Sequence, residues 1–175
     1  MFTCPTVETD RLILRAFRDD DLAAYTEIHR HPLVRETLHI PKTFDEYEGW
    51  KHLTLWNGQW TLRNSGQWCM ELRETGEVIG RCGTHRPHRL DWPGLEIGWT
   101  LHPDHWGKGY ATEGGAASIE WAFANHDDDH LVSLILPSNT PSQAVAERLG
   151  FTLRETRIIP FVPDQPIGVW ALPRP

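Results

Sequence analysis

A segment rich in glycine, HWGKGYATEGG at 105–115, contains the residue types that point most directly to ligand binding. Gly107 and Gly109 have no side chain and let the backbone come close to a bound group. A predicted strand precedes the segment and a helical pattern follows it, so free N–H groups of the first helical turn and the helix dipole create an anion site. Lys108 adds a positive charge there or faces solvent. The segment predicts a site for a phosphate-bearing cofactor, with a glycine-rich turn that binds no ligand as the alternative.

Two common nucleotide-binding motifs do not match this segment. A kinase-type phosphate loop requires Ser or Thr after its lysine, whereas Gly109 follows Lys108. A dinucleotide-binding fold requires a third glycine and an acidic residue at the end of the next strand, where this chain has Pro137-Ser138-Asn139. The positions of these residues therefore argue against an NAD-dependent oxidoreductase.

Two further residues carry groups suited to acid–base chemistry. Glu96 lies on a predicted strand with its two apolar neighbours on the opposite face, so it is a candidate base that accepts a proton directly or through water. The alternative is an ordinary surface carboxylate or an ion-pair partner. Ser142 follows Asn139 by three residues in a segment that is also a good helix start, so both residues could serve only as helix caps.

The elements around these residues alternate and cluster in the manner of an α+β domain with a mixed sheet. We predict N-caps at Asp19 or Asp20 for the first helix and at Thr43 for the second, with Pro32 interrupting the first helix. Apolar periodicity and turn residues predict strands at 11–17, 68–74, 77–85, 95–101, 130–139, 151–158 and 167–172, and helices at 18–34, 43–56, 110–125 and 141–150.

Composition limits the classes of protein and ligand. The 175 residues predict one domain over 1–175, and the net charge of −7 argues against a nucleic-acid partner. Three cysteines without a paired spacing predict reduced thiols and a cytoplasmic location, and we expect no membrane association. Histidines at 85, 88, 102 and 105 do not have the spacing of a metal site, so we expect no metal.

Four sequence blocks together resemble the GNAT superfamily of acetyl-CoA-dependent N-acetyltransferases. They are TDRLILR at 9–15, GEVIG at 76–80, LEIGWTLHPDHWGKGYATEGG at 95–115 and SNTPSQAVAERLGF at 138–151. The resemblance covers nearly the whole chain and is strongest to the branch of ribosomal-protein N-terminal acetyltransferase-like (RimJ/RimL) enzymes. It implies a single α+β domain whose central mixed sheet is splayed and flanked by helices, and it implies acetyl-CoA as cosubstrate.

The resemblance also implies roles for individual residues. Backbone N–H groups of the glycine segment would bind the pyrophosphate, with Trp106 replacing the usual Arg or Gln. Unpaired strand groups would bind the pantetheine arm and polarise the thioester, Asn139 would hold the arm, and Ser142 would protonate the leaving thiolate. The resemblance also supports an acidic residue at Glu96, although the role of this acid differs between members of the family. The cofactor-binding residues so predicted are Trp99, Thr100, Leu101, Trp106, Gly107, Lys108, Gly109, Tyr110, Ala111, Thr112, Asn139 and Ser142.

The acceptor implied by this chemistry is a primary amine, either a protein N-terminus or a small molecule. The resemblance places the acceptor side at roughly 29–60 and 86–92, a region that carries Trp50, Trp56, Trp60 and Trp92. These rings could bind an apolar side chain or a cation, pack in the core or form a dimer seam, and we expect a monomer or a homodimer. A non-catalytic acyl-CoA-binding regulator on the same fold is the alternative function.

Overall fold

The computed structural model describes residues 1–38, 43–159 and 162–175. Its strands are β1 (Val7–Glu8), β2 (Leu12–Arg15), β3 (Gln67–Leu72), β4 (Val78–His85), β5 (Leu95–Leu101), β6 (His130–Ile135), β7 (Thr152–Ile159) and β8 (Val162–Pro173). They form one eight-stranded sheet in the order β1-β2-β3-β4-β5-β6-β8-β7. The β5–β6 pair is parallel and the other neighbouring pairs are antiparallel, which confirms the mixed sheet.

Five α-helices flank the sheet: α1 (Leu22–Arg30), α2 (Pro32–Thr37), α3 (Glu46–Arg63), α4 (Tyr110–Asn125) and α5 (Thr140–Arg148). Strand β5 and helix α4 have the bounds that the sequence predicts. The predicted interruption of the first helix is confirmed, because Pro32 begins α2 at a position that requires no N–H donor. Within the described ranges, no helix combines the length and the apolar character needed to cross a membrane.

The two predicted N-cap positions are wrong by one or two residues. Helix α3 is capped by Asp45, whose Oδ1 accepts a hydrogen bond from the N–H of Glu48 at 3.0 Å, and not by Thr43. A 3₁₀ turn at Asp19–Asp21 precedes α1, so neither Asp19 nor Asp20 caps that helix. The buried carboxylate at this turn, that of Asp21, is held by the guanidinium of Arg15.

Helices cover both faces of the sheet. Helices α4 and α5 pack on one face, where Leu95, Ile97 and Ala122 belong to one buried cluster. Helices α1 and α3 pack on the other face through residues such as Tyr25 and Trp56. Both faces are therefore buried in the centre of the sheet, and access to β5 is possible where its neighbour diverges.

Strand β5 diverges from β6 halfway along its length. The two strands pair at Leu95 with Leu131 and at Glu96 with Val132, and the pairing stops there. On its other side β5 stays paired with β4 as far as Leu101. This confirms the predicted splay, and it leaves one edge of β5 beyond Glu96 available to a ligand.

Candidate active site

Two cavities meet at the splayed end of β5. The larger, about 500 Å³, lies between the end of β5, the start of α4 and helix α5. The smaller, about 310 Å³, lies beside β4, β5, β6 and α3. Residues common to both linings are Thr37, Leu38, Trp99, Asn139 and Ser142. A reaction between two bound molecules would therefore take place at the junction formed by these residues.

The glycine segment forms one wall of the larger cavity. Gly107 and Gly109 have positive φ angles of 72° and 84°, a conformation that glycine adopts at little cost. Gly109 is the N-cap of α4, and the first hydrogen bond within that helix runs from the N–H of Glu113 to the carbonyl of Gly109. The N–H groups of residues 110–112 consequently have no acceptor inside the helix. This is the geometry of an anion site at a helix N-terminus.

Trp106 links the start of the glycine segment to β5 through a hydrogen bond. Its indole Nε1 donates a hydrogen bond to the carbonyl of Leu101 at 2.9 Å, and its side chain remains 39% exposed. The residue that replaces the usual Arg or Gln thus holds the loop against the strand. Lys108 is exposed and is the one predicted cofactor residue that does not line the larger cavity.

Arg11, in the turn between β1 and β2, contacts the same glycine segment. Its Nη1 donates to the carbonyl of Lys108 at 2.9 Å, and its Nη2 pairs with the carboxylate of Glu113 at 2.6 Å. The guanidinium also lies 4.5 Å from the centre of the Tyr110 ring. Arg11 therefore neutralises the acid in the first turn of α4 and ties both ends of the loop to the sheet. No motif in the sequence predicts that Arg11 belongs to the site.

Asn139 and Ser142 lie at the start of α5, on the junction between the cavities. The Oδ1 of Asn139 accepts a hydrogen bond from the N–H of Ser142 at 3.2 Å, so Asn139 does cap the helix. Its side-chain nitrogen donates to no group in the described part of the chain. The capping role and a ligand-binding role are therefore compatible, because they use different atoms.

The end of β5 supplies Trp99, Thr100 and Leu101 to the larger cavity. The hydroxyl of Thr100 is buried and has no hydrogen-bond partner among the described residues. A buried polar group without a partner is costly unless a ligand or water satisfies it. Because this hydroxyl oxygen is inaccessible, Thr100 borders the cavity through its other atoms.

Glu96 lines the smaller cavity, while Leu95 and Ile97 are fully buried on the opposite face, as the alternation of the strand predicts. Burial raises the pKa of Glu96 to about 8, because the charged form is poorly solvated there. The Arg81 guanidinium and a hydrogen bond from the Leu134 backbone act in the opposite direction but are weaker. Glu96 is therefore neither a surface carboxylate nor an ion-pair partner, and it can exchange a proton near neutral pH.

Arg81 and two histidines complete the polar lining of the smaller cavity. Arg81 Nη1 donates to Oε1 of Gln67 at 2.8 Å. Burial, with a smaller effect from Arg81, lowers the pKa of both His52 and His85 to about 4, so these rings are neutral at pH 7. Of the four histidines considered in the sequence, His85 lines the smaller cavity, His105 lines the larger cavity and His88 is exposed. His102 and His105 pair with Asp104 and Glu77.

The four tryptophans of the predicted acceptor region have different environments. Trp56 and Trp92 line the smaller cavity. Trp60 packs in the core, 4.6 Å from the ring of Trp68, and Trp50 is 48% exposed. Residues 39–42, which the predicted region includes, lie outside the described residues. Among the described residues, no group of three or more His, Cys, Asp or Glu side chains is arranged to hold a metal ion.

Sequence comparison identifies the family. The model of the acetyltransferase (GNAT) domain matches residues 11–152. A curated relative, the uncharacterized protein YkkB of Bacillus subtilis (strain 168), is 30% identical over 155 residues, which are 85% of this chain and 86% of the relative.

Solved structures agree with this assignment. An acetyltransferase from Agrobacterium tumefaciens str. C58 is 34% identical, with a TM-score of 0.83 over 99% of this chain and 97% of that one. RimL, a ribosomal L7/L12 alpha-N-protein acetyltransferase in complex with coenzyme A, is 18% identical, with a TM-score of 0.80 over 97% of this chain and 98% of that one. The second similarity shows a shared fold. The chain therefore belongs to the acetyltransferase (GNAT) family, and the expected enzyme class, N-acetyltransferase, is confirmed.

Proposed function

We propose that the chain transfers the acetyl group of acetyl-CoA to a primary amine by direct attack within a ternary complex. The observation that carries this proposal is the meeting of two cavities at Trp99, Asn139 and Ser142. One cavity ends in a helix N-terminus with free N–H groups, and the other contains a carboxyl group whose pKa is near 8. An anionic thioester and an amine acceptor would thus be bound with their reacting atoms at the junction.

The larger cavity fits acetyl-CoA in three respects. The N–H groups of residues 110–112 suit a pyrophosphate. The side-chain nitrogen of Asn139 suits a pantetheine amide carbonyl. The edge of β5 beyond Glu96 supplies backbone groups that suit the remaining amide and the thioester carbonyl. Acetyl-CoA supplies an activated acyl group, so the protein needs to position it and manage two protons.

Glu96 and Ser142 are the residues proposed to move those protons. Above its pKa the Glu96 carboxylate accepts a proton from the acceptor ammonium, directly or through water, and frees the amine for attack. The hydroxyl of Ser142, at the junction, gives its proton to the sulfur as the thiolate leaves and regains a proton from the nitrogen of the tetrahedral adduct, directly or through water. The new bond is N–C, the broken bond is C–S, and the products are an N-acetyl amide and CoA with its thiol protonated.

A covalent acetyl-enzyme is not part of this proposal, because no described nucleophile is placed and activated for it. Cys82 is fully buried, and burial raises the pKa of its thiol to about 12. Burial likewise raises the pKa of Cys69, and neither thiol lines the two cavities. Ser142 has no histidine hydrogen-bonded to its hydroxyl among the described residues, so it lacks the base that would activate it.

The test begins with thermal unfolding in the presence of acetyl-CoA, CoA, NAD and ATP. Ligand at about a hundred times its Kd adds about 2.7 kcal/mol to the free energy of unfolding, which we expect for acetyl-CoA and CoA but not for NAD. Thiol release with a panel of amines and peptides then measures turnover. A different outcome would instead support the non-catalytic regulator. In that outcome acetyl-CoA stabilises the protein without turnover, and the double variant Glu96→Ala and Ser142→Ala is stabilised to the same extent. If neither acetyl-CoA nor CoA stabilised the folded protein, the proposal would be wrong.

A further inference from the structure

We propose that the acceptor is a small amino acid-like molecule, in which a primary amine and a carboxylate are held near each other, and that Arg81 binds its carboxylate. This inference rests on the proposed function. It concerns the smaller cavity, whose described lining contains one permanently charged group, the guanidinium of Arg81.

Arg81 has few hydrogen-bond partners within the protein. Nη1 donates to Oε1 of Gln67, the guanidinium also interacts with the buried hydroxyl of Tyr25, and Nε has no hydrogen-bond partner in the described part of the chain. The guanidinium lies 5.2 Å from the centre of the Trp56 ring. No described carboxylate comes within ion-pair distance of it, unlike Arg15, which pairs with two acids on the same face of the sheet. A partly buried guanidinium in this state favours an anionic partner, and a carboxylate matches its fork geometry.

Gly98 lines the cavity on the strand between Glu96 and Thr100 and contributes no side chain there. A Cβ atom built on Gly98 would be in van der Waals contact with Gln67 Nε2 at 3.6 Å and with Arg81 Nη1 at 3.9 Å. At this position a ligand can therefore approach the strand backbone beside the Gln67 amide and the guanidinium. An acceptor resting there would have its amine toward Glu96 and Ser142 and its carboxylate toward Arg81.

The remaining walls define the rest of the acceptor. Trp56, Trp92 and His85 present aromatic surfaces, and His85 is held by Gln59 at 3.0 Å. A volume of about 310 Å³ is at the lower end of small-molecule sites. These walls suit an aromatic or large aliphatic side chain. Polyamines and aminoglycosides would instead bring several cations close to Arg81, which is unfavourable.

Matched acceptors test the inference with the unmodified enzyme. Phenylalanine, tryptophan and leucine are compared with their α-amides and with the corresponding decarboxylated amines by the rate of CoA release. We expect kcat/KM to be at least tenfold higher for the free amino acids than for the amides. The comparison is stringent because an α-amide has the more easily deprotonated amine and would react faster if the carboxylate were not bound.

The variant Arg81→Gln, with the exposed Arg63→Gln on α3 as its control, assigns the effect to one residue. We expect Arg81→Gln to lose at least tenfold in kcat/KM for the amino acids and to change little for the amides, while stabilisation by acetyl-CoA persists. Turnover that prefers amides, amines or peptides, or no turnover of any amino acid, would overturn the inference. Loss of acetyl-CoA binding in the unmodified enzyme would instead overturn the proposed function.

Discussion

Glu96 is placed where burial opposes ionisation, so its protonation state should control the reaction rate. Because its pKa is raised to about 8, the carboxyl is mostly protonated at pH 7 and cannot accept a proton. We expect kcat/KM to rise with pH through about 8, and we expect Glu96→Gln to lower kcat about 100-fold and to remove this inflection.

The titration of the acceptor amine must be separated from that of Glu96. A profile measured with two acceptors of different amine pKa does this, since only the inflection that belongs to the enzyme stays at the same pH. If Glu96→Gln keeps that constant inflection, Glu96 is not the base.

Asn139 uses two atoms for two purposes, and a pair of substitutions can distinguish them. Asn139→Ser keeps an oxygen that caps α5 but removes the side-chain nitrogen, whereas Asn139→Ala removes both. We expect both variants to raise the KM for acetyl-CoA several-fold, and only the alanine variant to lose about 1 kcal/mol of stability. An unaltered KM in the serine variant would leave Asn139 with the capping role alone.

At the scale of elements, the turn between β1 and β2 supports the loop that precedes α4. Removal of Arg11 leaves the Glu113 carboxylate uncompensated in the first turn of α4 and frees the carbonyl of Lys108. We therefore expect Arg11→Ala to raise the KM for acetyl-CoA about tenfold with a smaller change in kcat.

Arg73→Ala is a matched control for this variant. Arg73 binds the same turn through the carbonyl of Thr9 at 2.7 Å, and its hydrogen bond and ion pair among the described residues do not involve α4. Equal effects of the two variants would show that the turn acts only through its general stability. A larger effect of Arg11→Ala is the expected outcome.

The elements around the glycine segment are predictable because nearby residues specify them. The strand Leu95–Leu101 ends before Pro103, and the helix Tyr110–Asn125 begins at Gly109, a residue with positive φ. The cap of α3 is less predictable, since Thr43 and Asp45 are both good capping residues and the sequence pattern does not decide between them. Strand β1 is two residues long and leaves no periodicity to detect.

Site residues that depend on distant contacts could not be predicted in the same way. Arg11 contacts Glu113, which is 102 positions away in the sequence. Arg81 lies on β4 at a position that the sequence pattern does not distinguish from other strand positions. Glu96 and Ser142 were detectable because each lies beside a recognisable motif. The polar lining of the smaller cavity becomes apparent only when β3, β4, β5 and α3 are brought together.

At the scale of the whole molecule, three neutral histidines, on α1, α3 and β4, should make the fold sensitive to acid. Burial lowers the pKa of His29, His52 and His85 below the value of the unfolded chain. As pH falls from about 6.5 towards 4, the unfolded state binds protons that the folded state does not, so stability decreases. Each of His52 and His85 should contribute roughly 3 kcal/mol of this loss. Glu96 has the opposite effect on stability, because its raised pKa lets the folded state bind a proton before the unfolded state does as the pH falls. It is one group against three histidines.

Chemical denaturation at a series of pH values measures this dependence. We expect His85→Gln to reduce the slope of unfolding free energy against pH between about 4 and 6.5, whatever its effect at pH 7. His88→Gln, on the exposed surface, is the control. Equal slopes in the two variants would show that His85 does not contribute to acid sensitivity.

The junction shared by the two cavities has a consequence for inhibitor design. Because Trp99, Asn139 and Ser142 belong to both linings, the two proposed ligands would bind next to each other. A conjugate that joins the sulfur of CoA to the nitrogen of the acceptor through a two-carbon bridge would occupy both chambers as one molecule. It would lose translational and rotational freedom once instead of twice, so its affinity should exceed that of either half. The affinities of conjugates with different acceptor halves would then measure the acceptor selectivity of the protein without any need for catalysis.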